Sequence, residues 1–246
     1  MRLVLDVGNT TLSHALFNTD LLSPGRIRSG EIKTTADIAK LVEESKKETS
    51  NSIDEIVVCA GVSRVRALIY DYASISDIPV HFVYGANLCG ATISYETPET
   101  IGPDRIANAI AAQSIFKKNI IIVDCGTAIT IDAIDSQGVF IGGIIAPGIE
   151  TQRNALTQFA PALPEVELTI PEDILGTNTI DCIRSGVLYG ASSMIDSVVS
   201  KIAAKNGFDT FVLTGGNAHI IRELLETDFI YDEFFTLKGL GLAQIN

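Results

Sequence analysis

The chain has no tryptophan, two methionines and three histidines, and its 18 lysines and arginines are outnumbered by 30 aspartates and glutamates. A net charge of −12 and an isoelectric point near 4.6 argue against nucleic acid or an anionic membrane surface as partners, since either needs a basic face. Cys59, Cys89, Cys125 and Cys182 stand far apart with no Cys-x-x-Cys spacing. Neither a zinc site nor a disulfide framework is indicated, and buried reduced thiols are expected. There is no apolar signal core at the N-terminus and no apolar run approaching about 18 residues, so a cytoplasmic protein with no membrane partner is expected. Nor does Gly-x-x-x-x-Gly-Lys-Ser/Thr occur, so a Walker lysine is not on hand for nucleotide phosphates. An acidic chain of this kind must find local positive charge for an anionic substrate in arginines, helix N-termini or bound cations.

What is present is 246 residues, 46% apolar and 20% charged, enough for one large domain or two of about 120 residues each. Leu3-Val-Leu-Asp-Val-Gly-Asn-Thr-Thr11 is an apolar run that ends in Asp6, meets a glycine turn and resumes as Leu12 to Phe17. This reads as a β-hairpin with an aspartate at its mouth. Gly8 lets backbone approach a ligand, the turn amides can point at an anion, and Asn9, Thr10 and Thr11 add neutral donors. Asp6 would repel phosphate by itself, so its use is to hold a metal ion; the plainer alternative is an ordinary tight hairpin. Ile120 to Ile134 repeats the pattern, with Asp124 matching Asp6 and Gly126 matching Gly8. Two such hairpins, one in each half, suggest two similar domains, 1–116 and 117–246, facing each other across a nucleotide.

Ser23-Pro-Gly25 reads as a turn and Arg26 to Lys33 as a third strand. A helix over 35–47 follows, capped by Thr34 or Thr35, then a strand over 53–61, a helix from Ser63 to about Ser74 and a strand over 79–84. His81 alternates with apolar neighbours as a structural histidine does. The second half again opens with three strands (120–124, 128–134, 139–145). Helices then include a long one from about Asn178 to Lys205, followed by a strand over 208–214 and a helix over 217–226. The echo fits a duplicated ribonuclease-H-like unit, an α/β fold. A third glycine turn, Leu213-Thr-Gly215-Gly216, can bring bare backbone against a base or ribose. From Asp104 onward the apolar spacing is helical, and Pro103 suits the first helical position. Asp104 and Arg105 then sit in a first turn, as plain helix-start residues or as a base and an anion-holding arginine presented together.

Taken as an ordered set, these motifs resemble the type III pantothenate kinases of the actin-like, sugar-kinase and heat-shock ATPase superfamily. The matching residues are Asp6-Val-Gly-Asn-Thr10, Tyr95 with Pro98 before Gly102-Pro-Asp-Arg105, Asp124-x-Gly-Thr-Ala128 with Thr130, Gly142-Gly-x-x-x-Pro-Gly148, Asn178-Thr179 before Ser185-Gly186, and Leu213-Thr-Gly-Gly216. The resemblance implies two duplicated ribonuclease-H-like domains with a nucleotide cleft between them, and ATP-dependent phosphorylation of pantothenate, the first step toward coenzyme A. It also implies a homodimer whose pantothenate pocket lies near the subunit interface. Asp6, Val7, Gly8, Asn9, Thr10, Thr11, Leu12 and Ser13 would hold ATP phosphates, with Asp6 near Mg²⁺, and Thr127 would contact ATP. Asp124 would coordinate K⁺ or NH₄⁺. Tyr95, Gly102, Pro103, Asp104, Arg105 and Thr179 would line the pantothenate pocket, with Asp104 as proton acceptor. Arg105 is left with two uses, the carboxylate of pantothenate or the steadying of Asp104. Proline at 103, where many relatives have alanine, and Cys125 are mild departures. Two other readings compete: a different small-molecule kinase or ATPase of the superfamily, and a non-catalytic regulator that senses nucleotide.

Overall fold

The computed structural model describes residues 1–84 and 90–245, so Cys89 lies outside the described residues. Two compact units are formed. The first comprises Met1–Lys117 with Ser136–Ile141 and Phe234–Asn246, and the second comprises Lys118–Asp135 with Gly142–Glu233.

In the first unit, β1 (Arg2–Val7), β2 (Thr11–Phe17) and β3 (Leu21–Arg28) are followed by α1 (Thr35–Lys47), β4 (Glu55–Ala60), α2 (Ser63–Ala73), β5 (Val80–Val83), β6 (Thr92–Ile93) and α3 (Pro103–Ile115). The sheet order is β3-β2-β1-β4-β5, antiparallel through the hairpins and parallel from β1 to β4 to β5. Strand alternation divides its side chains into two sets. Leu3, Leu5, Val7, Leu12, Leu16, Ile56, Val58 and Ala60 pack on Ile38, Leu41 and Val42 of α1 and on Val65, Ile69 and Tyr72 of α2. Val4, Asp6, Ser13, Phe17 and Cys59 point the other way. α1 begins where its sequence signals place it: Thr34 caps the helix and Asp37 closes a capping box on it. Residues 105–112 of α3 are all buried, so this helix is enclosed on every side.

The second unit continues with β7 (Ile120–Cys125), β8 (Ala128–Ile134), β9 (Val139–Pro147), α4 (Ile149–Phe159), α5 (Thr179–Asn206), β10 (Thr210–Thr214), α6 (Ala218–Ile221) and β11 (Ile230–Tyr231). Its strands run β9-β8-β7-β10-β11, which is the first unit's order repeated, with β10 parallel to β7 and β11 parallel to β10. The start of β9 lies in the first unit, where Val139 and Phe140 pair with Thr92 and Ile93 of β6. Residues from β7, β8, α5 and β10 share one core, including Ile121, Val123, Ile131, Leu188, Ile195 and Leu213. Asn178 caps α5 by accepting from the Asp181 amide.

Some expectations need correcting. Ser23, Pro24 and Gly25 do not form a turn before the third strand but lie inside β3. This is an edge strand whose register to β2 shifts between His14 and Leu16, and Ser23 takes a positive φ of 47° there. A proline is tolerated on such an edge because the missing N–H need not face a neighbour. The helix expected over 217–226 is one α-helical turn, α6, followed by a 3₁₀ turn over 222–224. Of the thiols, Cys59 and Cys125 are buried, but Cys182 is exposed on the first turn of α5. A further helix that the spacing does not announce, α7 (Phe235–Leu242), returns the chain to the first unit, where it packs on α3 and β1.

Candidate functional site

In the first unit the site grows from the β1–β2 hairpin. The Gly8 amide donates to the Thr11 carbonyl at 2.9 Å, closing the turn. Ser29, just past β3 and buried, ties the turn back from below: its hydroxyl donates to the Gly8 carbonyl at 2.7 Å and its amide to the Thr10 carbonyl at 2.9 Å. Arg64 fixes Ser29 in turn by donating to its carbonyl at 2.9 Å. With those carbonyls and the Gly8 amide taken up inside the protein, the remaining amides of the turn are what it can offer an anion. Asn9 and Thr10 are exposed on it, while Val7 and Leu12 give their side chains to the core.

Asp6 closes β1 beside this turn. Parallel register sets it against Cys59 on β4, and the Cys59 thiol donates to Asp6 Oδ1 at 3.0 Å. Burial pushes the Asp6 carboxyl from 3.8 up to about 6; the Cys59 hydrogen bond opposes this, the nearby Asp104 carboxylate adds to it and the Arg26 guanidinium draws it down. The Cys59 thiol is itself pushed well above its usual range, chiefly by burial and then by Asp6. Asp104 stands in the first turn of α3, after Pro103 at the first helical position and Gly102 at the cap. The structure thus brings together two carboxylates that lie almost a hundred residues apart in the sequence. A pair of hard oxygen donors beside an anion-binding turn suits a divalent cation that draws its remaining ligands from water and phosphate. Among the described residues, no group of three or more His, Cys, Asp or Glu side chains is placed to hold a metal by itself.

Arg105, next along α3, is buried with its guanidinium 5.3 Å from the Phe140 ring centroid. Tyr95 meets the same ring edge-on at 5.9 Å. Tyr95, Gly102, Pro103, Asp104 and Arg105 therefore form one neighbourhood in the first unit. Thr179 belongs to the second unit, exposed at the start of α5.

Around Asp124 the second unit converges three loops. The 124–128 hairpin is closed by the Gly126 amide donating to the Ala128 carbonyl at 2.9 Å. The Thr127 carbonyl accepts from the Gly148 amide at 2.9 Å and the Thr151 hydroxyl at 2.6 Å, and the Asn217 amide donates to the Cys125 carbonyl at 2.8 Å. Gly215 has a φ of +98°, and a Cβ there would collide with Asp124 Oδ1 and the Cys125 backbone, so the Gly215-Gly216 turn lies directly on the hairpin. Across the ladder, Asp124 is paired with Thr130, whose hydroxyl is buried with no hydrogen-bond partner among the described residues. A carboxylate flanked by an unsatisfied hydroxyl is a donor set that a weakly hydrated monovalent cation can use.

Ser29, Cys59 and Arg26 escaped the sequence reading. Each acts through strand register or a long-range tie, and no local spacing marks it. Pairing the strand that carries Cys59 with β1 in parallel would have found Cys59.

Comparison with known proteins follows the same lines. The model of type III pantothenate kinases matches residues 2–201. A protein of Desulforapulum autotrophicum named type III pantothenate kinase is 35% identical over 250 residues, which cover 98% of this chain and 95% of that relative. Among solved structures, a conserved Baf family protein from Campylobacter jejuni gives a TM-score of 0.62 at 20% identity over 97% of this chain and 94% of that one. A ROK family glucokinase from Streptomyces griseus, in complex with glucose and AMPPNP, gives 0.52 at 14% identity over 98% and 99%. Those two likenesses identify the fold, the actin-like and sugar-kinase architecture built from duplicated ribonuclease-H-like units. The extent of the family match and of the identity carries more, and by both the chain belongs to the type III pantothenate kinases.

Proposed function

We propose that the protein transfers the γ-phosphoryl group of ATP to the primary hydroxyl of pantothenate, giving 4′-phosphopantothenate and ADP at the start of coenzyme A synthesis, with Asp104 as the base. What supports this reading is that Asp104, in the first turn of α3, lies near enough for its charge to act on Asp6, next to the turn of the first hairpin. An alcohol is a poor nucleophile. As its oxygen bonds to the γ-phosphorus and the bond to ADP breaks, its proton passes to the Asp104 carboxylate. The turn of residues 6–13 aligns the phosphates, and its amides offset their charge. Mg²⁺ held beside Asp6 supplies further charge on the phosphate oxygens when bound. In the second unit, Asp124 with Thr130 holds the monovalent cation, and Thr127, Gly215 and Gly216 take the nucleotide. Tyr95, Gly102, Pro103 and Arg105 seat pantothenate, and Thr179 is a further substrate-binding residue.

Support for a homodimer comes from the surface of the second unit, where large apolar side chains of β9, α4 and the start of α5 are exposed. A cavity of about 630 Å³ between α4 and α5, lined by Leu156, Leu163, Cys182, Ile183 and Val187, has Thr179 at its margin. The same reading makes the protein a cytoplasmic enzyme. No helix among the described residues is long and apolar enough to cross a membrane.

A coupled assay with pantothenate, ATP and Mg²⁺, run with and without K⁺, tests substrate and cation together. Turnover is expected only with pantothenate present and is expected to rise with K⁺. Asp104→Asn is expected to lose at least about a hundredfold in kcat, the low end for a general base, while ATP still binds. Full activity in that variant would remove Asp104 from the mechanism.

A further inference from the structure

We propose that Arg26 is a triphosphate-binding residue of this site, reaching over Ser13 to take a phosphate oxygen of the nucleotide beside Asp6. The inference deepens the kinase reading and rests on it for the identity of the nucleotide.

Register is the first support. Asp6 on β1 is directly opposite Ser13 on β2, and Ser13 is directly opposite Arg26 on β3. Directly opposed residues of neighbouring strands present their side chains to the same face of a sheet. With Cys59 set against Asp6 on β4, the four residues Cys59, Asp6, Ser13 and Arg26 form one polar row across four strands. Arg26 starts two strands from Asp6, about 10 Å at the usual strand spacing, which an arginine can largely span. It does lean that way. Its Nε lies 3.4 Å from the Ser13 hydroxyl, which puts the guanidinium over β2, one strand from Asp6.

The second support is how the cation is held. Its Cζ lies 4.7 Å from the ring centroid of Phe234, the residue at which the chain re-enters the first unit, so an aromatic face steadies the guanidinium. Its charge acts on the Asp6 carboxyl, as expected of a cation beside that group. A half-buried arginine fixed in one orientation next to an anion-binding turn has the fork geometry that phosphate oxygens accept. In a chain of net charge −12 without a Walker lysine, this supplies the fixed positive charge that the turn of the first hairpin lacks.

The alternative is a strut that merely joins the hairpin to Phe234, and the two roles separate in binding. Calorimetry with Mg²⁺-ATP and no acceptor is expected to show Arg26→Gln binding about ten- to a hundredfold more weakly than wild type, the usual worth of a hydrogen bond to a charged group. In steady state, KM for ATP should rise by a similar factor while KM for pantothenate stays within about twofold. Arg26→Lys should recover part of the loss, and Phe234→Leu, which keeps the charge but removes its rest, should weaken ATP binding less but in the same direction. Unchanged ATP affinity in Arg26→Gln, or an equal rise in both KM values together with a lowered thermal midpoint, would overturn the proposal. Should Arg26→Gln not fold, Arg26→Lys and Phe234→Leu decide it by the same calorimetry: normal affinity in both refutes it. A wild-type protein that binds ATP but phosphorylates no pantothenate would sink the kinase reading and leave Arg26 to be judged on binding alone.

Discussion

At the scale of single residues, the proposed chemistry puts its weight on carboxylates, and the surroundings of Asp6 decide its charge. The sequence singles out Asp6 by repeating its Asp-x-Gly hairpin at Asp124, since one copy reads equally well as an ordinary tight hairpin. The environment of Asp6 was not legible, since Cys59 reaches it only through the parallel pairing of β1 and β4. That environment gives a pH prediction. The Asp6 pKa is 3.8 when the chain is unfolded and about 6 when folded. Between those values the folded state holds the extra proton, so stability contributed by the protonated carboxyl is full below pH 3.8 and is lost as pH rises through 6. About two pKa units correspond to roughly 3 kcal/mol. Asp6→Asn removes this titration and leaves an amide oxygen for the Cys59 thiol. In urea unfolding without nucleotide or metal, the stability of Asp6→Asn relative to wild type should therefore grow by about that amount from pH 4 to pH 7. A difference that is flat with pH would show that the folded protein does not disfavour the Asp6 charge.

At the scale of elements, legibility followed local signals. The spacing of Ile38, Leu41 and Val42, with Thr34 and Asp37 as a capping box, announces α1, and Pro103 announces α3. No such signal marks α7. Phe-Thr-Leu-Lys-Gly-Leu-Gly-Leu is apolar around most of its circumference and carries two glycines, so it shows no face, and only its burial against α3 and β1 explains it. That contact is very close. A Cβ on Gly239 would collide with the backbone carbonyl of Ala107, and the Thr236 hydroxyl donates to Asn108 Oδ1 at 2.9 Å, fixing α7 along α3. Gly239→Ala should push the helices apart at a cost of about 1–3 kcal/mol, since backbone cannot yield as a side-chain tip can. Because α3 carries Asp104, the same variant should lose kcat more than affinity for ATP. Thermal unfolding together with steady-state kinetics checks both, and a variant with wild-type midpoint and kcat would show that α7 does not position α3.

At the scale of the whole molecule, the duplication was visible as two aspartate-glycine hairpins, and the strand orders β3-β2-β1-β4-β5 and β9-β8-β7-β10-β11 realise it. The division of the chain could not be read so simply: residues 234–246 pack with the first unit although they follow the last strand of the second. The surface raises a further question of assembly. Of the sixteen exposed large hydrophobic side chains among the described residues, eight fall between Ile144 and Ile180 in the second unit. Ile145, Phe159 and Leu175 are 64%, 80% and 79% exposed. Scattered singly, such residues need no explanation; eight of them on β9, on α4 and over 170–180 of one unit make this the surface on which the proposed homodimer is tested. Under the proposed homodimer, with Thr179 a substrate-binding residue, assembly and substrate binding should fall together. Sedimentation of the wild type is expected to give twice the 26.3 kDa chain mass, and Ile145→Lys combined with Phe159→Asp is expected to give the single mass. That variant should retain ATP binding, because neither position lies in the 6–13 or 124–128 hairpins, while KM for pantothenate rises. A wild type that sediments as a monomer at micromolar concentration, or a monomeric variant with unchanged KM for pantothenate, would break the link between this surface and the acceptor site.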